Sequence, residues 1–198
     1  MWPFRKNDKS ETIDGTLIVA QLNARVQPLD RFDYFEEPLQ KALEAAELGK
    51  VTGGGTQLVD DPNGIEYCDV EILLNVASED AVNAVISKLE AIGAPKGSLL
   101  KGVPDRSDIP FGVWEGLGLF LNGVDLPDEV YQSSDVNDVI AEIDKLLEGN
   151  GEFRGHWQGN LETALYFYGT SFALMQEAVN KVIIGEPLCE KCRIEQIA

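Results

Sequence analysis

Apolar positions along the chain switch period several times, from extended runs to the three-four spacing of helices and back. "GTLIVAQLNARV" is an extended run. After it Phe32, Phe35, Leu39, Leu43 and Ala46 recur at helical spacing, and Gly49 is the expected stop. Pro38 falls inside this pattern, either in the first turn of the main helix or at a kink in a longer one. "KVTGGGTQLV" reads as an irregular strand and "DDPNG" as a turn cluster. "IEYCDVEILL" alternates, with Cys68, Val70, Ile72 and Leu74 on one face and Tyr67, Asp69 and Glu71 on the other. Ser78 is the expected cap of a helix that turns Val82, Val85, Ile86 and Leu89 inward and ends at Gly93, with Pro95 beyond. "GSLLKGV" closes a βαββαβ unit.

The second half repeats that order. "FGVWEGLGLFLNGV" is a strand run, and Ser134 is the expected cap of a helix carrying Val136, Val139, Ile140, Ile143, Leu146 and Leu147. "GEFRGHWQ" and "LETALYFYG" follow, then a helix with Met175, Ala178, Val179 and Val182, and "CRIEQIA" as the last strand. The halves can be overlaid. "GKVTGGGTQ" at 49–57 lies over "GEFRGHWQG" at 151–159, and "EYCDVEI" at 66–72 over "ETALYFY" at 162–168. A longer hairpin loop in the first copy, holding "DDPNG", makes up the difference, and a duplicated fold tolerates such an insertion.

Two βαββαβ units predict an α+β protein of two tandem ferredoxin-like repeats, each an antiparallel sheet with its helices on one face. The expected divisions are an N-terminal arm at 1–12, repeat one at 13–103, a linker at 104–111 with two prolines and alternating charges, and repeat two at 112–198. The outer face of the third strand is polar in repeat one (Asp69, Glu71). In repeat two, residues 161–168 are apolar or aromatic on both faces, so both faces are expected to be buried. The second face must meet the partner repeat, a second copy of the chain, the N-terminal arm or a ligand. Ferredoxin-like units pair face to face or edge to edge, and the pattern leaves both open.

Composition narrows the function classes. The 198 residues carry 34 acidic against 16 basic side chains, a formal charge of −18. That charge repels phosphate backbones, so direct nucleic-acid binding is disfavoured, and it reads either as a soluble acidic surface or as attraction to a basic protein partner. Three cysteines, an odd number, argue against a disulfide framework. No apolar run approaches the ~20 residues of a membrane span, and "MWPFRKNDKSET" lacks the apolar stretch of a secretory signal. The expected location is the cytoplasm.

The run "FEEPLQKALEAAELGKVTGGGTQ…IEYCDVEI…LEAIGAPKGS" resembles uncharacterised bacterial proteins that carry an L-G-x-V-x-G-G-G-T element before a strand with an acidic start. The likeness is fullest in repeat one and implies no activity. In charge and expected build the chain also looks like small bacterial immunity or nuclease-regulator proteins.

Four features carry candidate chemistry. "CEKC" at 189–192 follows a helix stop and enters a strand, where residues i and i+3 point to opposite faces, so neither a disulfide nor a chelate is expected. "GGGT" at 53–56 leads into a hairpin rather than a helix, so Gly54 and Gly55 read as a bulge or close backbone approach, or as the floor of a groove. His156 and Trp157, their bulky counterparts in repeat two, are the expected walls of such a groove. His156 is the chain's one histidine, and Glu162 across the hairpin is the candidate to orient it as a general base. Glu66 and Glu162 open the third strand of each copy and become a carboxylate pair if the repeats are related by a twofold axis. Tyr166 and Tyr168 complete the candidate ligand-binding set. Nothing in the sequence calls for a metal or cofactor.

Two functions follow as expectations. The first is a non-enzymatic, acidic binding or regulatory protein, immunity- or inhibitor-like, acting on a protein partner. The second is a small-molecule binder or enzyme with a pocket at the second hairpin around His156 and Glu162.

Overall fold

A computed structural model of the chain describes residues 15–60 and 64–198. The N-terminal arm expected at 1–12 and the centre of the "DDPNG" turn lie outside the described residues. The fold is α+β, two tandem βαββαβ repeats. Repeat one runs β1 (Thr16–Leu22), α1 (Pro28–Arg31), α2 (Glu37–Ala45), β2 (Gly49–Leu58), β3 (Ile65–Leu74), α3 (Glu79–Ala91) and β4 (Ser98–Lys101). The short strand β5 (Ile109–Phe111) follows it. Repeat two runs β6 (Glu115–Asn122), α4 (Asp128–Ser133), α5 (Val136–Leu147), β7 (Gly151–Gln158), β8 (Glu162–Gly169), α6 (Phe172–Ile183) and β9 (Arg193–Gln196). The sheets have the orders β2-β3-β1-β4-β5 and β7-β8-β6-β9, and every strand pair is antiparallel. These are the ferredoxin-like orders, with one strand added. Residues 109–111, expected within the linker, form that strand and extend the first sheet beside β4.

A π-turn over Phe32–Glu36 joins α1 to α2, and the Glu37 N–H reaches back to the Phe32 carbonyl. Pro38 stands in the first turn of α2. Proline has no N–H to donate, and a widened turn just before it lets the helix continue. Ser78 caps α3 by accepting from the Ala81 N–H. Asp135, not Ser134, caps α5, accepting from the Asn137 N–H, and α4 occupies residues for which the periodicity gave no element.

The overlay of the halves is visible in the backbone. β2 breaks register between Val51 and Gly53, and β7 breaks it at the equivalent place, between Phe153 and Gly155. On the third strand the pairing places Tyr67 over Glu162, one residue away from the sequence overlay, since Gly49 faces Leu74 where Gly151 faces Gly169. Asp69, Glu71 and Leu73 are therefore the counterparts of Ala164, Tyr166 and Tyr168.

The helix-facing sides of the two sheets form two cores. Ile18, Ala20, Leu22, Cys68, Val70, Ile72 and Leu74 pack with Leu39, Leu43, Val82, Val85 and Leu89 in repeat one. Leu117, Leu119, Leu121, Leu165 and Phe167 pack with Val139, Ile143, Met175 and Val179 in repeat two. The outer face of the second sheet, with Phe120, Ala164, Tyr166 and Tyr168, joins the core of repeat one. As its two-sided apolar pattern requires, β8 is buried on both faces, and the cover is the partner repeat.

Candidate functional site

The second hairpin is fastened to repeat one by an extended strap, residues 23–27, that leaves β1 and crosses the second sheet from β9 to β7. Asn23 Nδ2 donates to the Ile197 carbonyl at 3.4 Å, the Arg25 N–H donates to Tyr168 Oη at 2.7 Å, and Gln27 Nε2 donates to the His156 carbonyl at 3.3 Å. Gly155 lets the strap approach: a Cβ there would lie 3.2 Å from the Arg25 carbonyl oxygen. The Arg25 guanidinium lies 5.7 Å from the Tyr166 ring centre. Tyr166 and Tyr168 are 0% exposed, and burial pushes both phenols above their ordinary pKa. They hold the repeats together.

At the β7 bulge stands Arg154, 4% exposed, a residue that periodicity passed over. Its guanidinium lies 4.3 Å from the Trp114 ring centre, 4.9 Å from Tyr34 and 5.3 Å from Phe35. It donates to the carbonyls of Ile92 and Gly93 at 2.9 and 3.3 Å and to Glu152 at 2.8 Å. Arg154 thus clamps the loop after α3 to the second sheet. A lone arginine flanked by Phe153 and Gly155 was the only sign of it in the sequence.

His156 is exposed, on the edge strand, and directly opposite Leu165, so its side chain leaves the helix-facing side of the sheet. Glu162 is opposite Asn122 and shares the outer face with Phe120 and Ala164. The expectation that Glu162 orients His156 is therefore corrected. The two stand on opposite faces of the sheet rather than across the hairpin from one another, and both reach the rim of an open cleft of about 420 Å³ at the hairpin tip. Glu162 is held by Arg193, whose Nη2 and Nε donate at 2.8 and 2.9 Å and whose guanidinium stacks 3.6 Å above Phe120. Glu66 and Glu162 are not counterparts either, because the pairing sets Tyr67 over Glu162 and Glu66 falls in the irregularity between Gln57 and Leu58. Trp157 lies on the outer face opposite Ala164 and packs against Gly64 of the first hairpin.

"CEKC" is a turn rather than an extended segment. Cys189 ends a short 3₁₀ turn, and the Cys192 N–H donates to the Cys189 carbonyl at 3.2 Å, with Lys191 at φ +59°. The two thiols lie close enough for Cys192 to raise the pKa of Cys189, which burial chiefly pushes up to about 12. Both are free thiols. Among the described residues no group of three or more His, Cys, Asp or Glu is placed to hold a metal ion.

The glycine run has two roles. Gly54 faces the helices, and a Cβ there would lie 2.4 Å from the Asp69 carbonyl oxygen and 2.8 Å from Arg31 Nε. Its bareness admits the half-buried Arg31–Glu36 ion pair (2.5 Å), which also reaches Thr56 Oγ1 at 2.9 Å. Gly53 and Gly55 face outward, opposite Glu71 and Asp69 of β3. A Cβ on Gly55 would meet nothing within 4 Å.

The outer face of the first sheet is open where its counterpart is sealed. Leu17 is 54% exposed, Glu71 and Gly55 are exposed, and Val19, Gln21, Tyr67, Asp69, Leu73, Leu99 and Lys101 are half-buried. On the edge strand β2, Gly53 and Gly55 stand opposite Glu71 and Asp69, and Lys50 and Lys101 share the same face. Burial raises the Asp69 carboxyl above its ordinary pKa, against the pull of Lys101 and a hydrogen bond with Gln21. Its Oδ1 is buried without a hydrogen-bond partner.

No family model matches the chain, and a search of curated proteins returns no match. Among solved structures, the ligand-free regulatory subunit of aspartate kinase from Thermus thermophilus aligns at 13% identity over 85% of this chain and 93% of its own, with a TM-score of 0.28. The first two RRM domains of a yeast poly(U)-binding protein align at 12% identity over 92% and 99%, with a TM-score of 0.24. A mutant chlorite dismutase from Candidatus Nitrospira defluvii aligns at 7% identity over 90% and 87%, with a TM-score of 0.29. These scores are low, and the likenesses extend no activity or partner to this chain. Among the described residues no helix is long and apolar enough to cross a membrane.

Proposed function

We propose that the chain is a non-enzymatic, acidic binding protein that acts on a basic protein partner, in the manner of an immunity or inhibitor protein, through the outer face of its first sheet. The observation that carries this reading is the difference between two related faces. One is sealed by the strap and the tyrosines, and the other is left open, bare at Gly55, with Asp69 and Glu71 beside Lys50 and Lys101. The charge of −18 supports a cationic partner, since long-range attraction speeds the encounter of oppositely charged proteins. At the second hairpin Glu162 is already paired with Arg193, so the cleft at its tip has no free carboxylate from Glu162 to set beside His156.

The test is affinity capture with the wild-type chain and with Gly55→Trp and Glu71→Lys as baits, washed over a salt series. The reading expects a partner held by the wild type, released as salt rises, and lost by both variants. A partner retained by all three baits, or indifferent to salt, would sink it.

A further inference from the structure

The fold contains a template for how the open face is filled. The strap lies across the second sheet with the Arg25 guanidinium over the Tyr166 ring and its N–H on Tyr168 Oη. At the corresponding places of the first sheet stand Glu71 for Tyr166, Leu73 for Tyr168, Asp69 for Ala164 and Gly55 for Trp157. A segment laid across the first sheet in the same way would bring its arginine between two carboxylates instead of onto a ring. It would find glycine where the tryptophan stands, and so lie closer to the backbone.

We propose that the outer face of the first sheet takes one extended, arginine-bearing segment of the basic partner, laid across the strands as strap 23–27 lies across the second sheet. This rests on the binding reading above and specifies what that surface holds. The arginine reaches the exposed Glu71 carboxylate, which a planar guanidinium meets at two points where an ammonium meets it at one. An apolar neighbour in the segment rests on Leu73 and the exposed Leu17. The chain's own second strap is the rival occupant, supplied by another copy, and its chemistry is wrong. Residues 122–126 follow β6 as the first strap follows β1, but they put Val124 in place of Arg25 and Asp125 in place of Val26. An acid would then meet acids.

The probe is the strap itself as a synthetic peptide, Leu22–Pro28 with blocked ends, together with its Arg25→Glu counterpart. Each is titrated into the isotope-labelled full chain and followed by amide chemical shifts. The expected result is weak binding, with a Kd of ~1 mM or below. Shifts should be confined to Val19, Gly53, Gly55, Glu71 and Leu73, with at least a tenfold loss for the Arg25→Glu peptide and for the Glu71→Lys protein. Glu71 is exposed, so an unchanged melting temperature shows that this variant is folded. Equal binding of both peptides, shifts at the second hairpin, or no shifts at millimolar peptide overturns the proposal. So does a concentration-dependent dimer that buries the same face. Failure of the peptide while a captured partner still depends on Gly55 and Glu71 removes the extended segment and leaves the binding reading standing.

Discussion

Replacing Arg154 by Met tests the clamp between the repeats. Methionine keeps an unbranched apolar side chain among Trp114, Tyr34 and Phe35 and removes every donor. The carbonyls of Ile92 and Gly93 then lose their partner, at roughly 1–3 kcal/mol each if water does not replace it. Ring contacts worth about 0.5–2 kcal/mol each are exchanged for weaker sulfur–aromatic ones. Relief of the arginine's desolvation, which holds its pKa below the ordinary value, offsets part of this. The net expectation is a loss of about 2–4 kcal/mol, a large share of the 5–15 kcal/mol typical of a folded chain. The ion pair with Glu152 adds little, since that side chain is 47% exposed, and Glu152→Gln should cost less than about 1 kcal/mol. Urea unfolding followed by tryptophan fluorescence reads both variants, with Trp114 as a reporter beside the mutated site. The midpoint should fall by ~1–2 M for Arg154→Met with an unchanged slope. Arg154→Met within ~1 kcal/mol of wild type, or equal losses for the two variants, would refute the clamp.

Gly54→Ala should destabilise by about 2–3 kcal/mol, because the new Cβ meets the Asp69 carbonyl and the Arg31–Glu36 pair. Gly55→Ala should be neutral or slightly stabilising, having open space around it, and chemical denaturation of the pair checks both. Tyr168→Phe leaves the buried Arg25 N–H without its 2.7 Å acceptor and should cost about 1–2 kcal/mol, seen as faster hydrogen exchange in the strap. Acidification from neutrality should first stabilise the fold. Burial raises the folded-state pKa of Asp30, Asp69 and Asp144 above 3.8, so the folded chain binds more protons than the unfolded one in that window. Stability therefore rises as pH falls through those folded values toward 3.8. Glu115 acts oppositely: held low by Lys96 and the Phe172 N–H, it loses its contribution as pH falls below 4.5. Melting temperature should climb as pH falls from neutrality, and the gain should shrink below 4.5 as Glu115 loses its contribution, whereas a steady fall from pH 7 would contradict these assignments.

The repeat order was legible because helix and strand periods alternate strongly and Gly49, Ser78 and Gly93 mark element ends. The sealed outer face of β8 was legible as well, since Ala164, Tyr166 and Tyr168 leave no polar side to the strand. What covers it was not, because the strap "NARVQ" has no period of its own and acts through backbone groups. The candidate site failed on register. A single-residue error in overlaying β3 on β8 exchanges the two faces, which made Glu66 and Glu162 seem equivalent. The bulge at Arg154 had a sequence signal only in hindsight, as the arginine that matches Thr52 of the first copy.

The reading of the glycine run has changed in consequence. Gly54 is structural, Gly53 lies under the Glu71 carboxylate, and Gly55 faces open space. His156 and Trp157 are not the walls of a shared groove, because they leave opposite faces of β7. The asymmetry between the repeats is one of use: the same sheet face is an internal interface in one copy and an external surface in the other.

The account's central claim is that the external surface is the binding site. Quantitative capture of a partner by four baits tests it most directly: wild type, Gly55→Trp, Glu71→Lys and His156→Ala, each first shown to melt as the wild type does. The account predicts that Gly55→Trp and Glu71→Lys lose the partner at least tenfold, while His156→Ala holds it as the wild type does. Loss on His156→Ala with full retention by Gly55→Trp would place the site at the second hairpin and contradict the account.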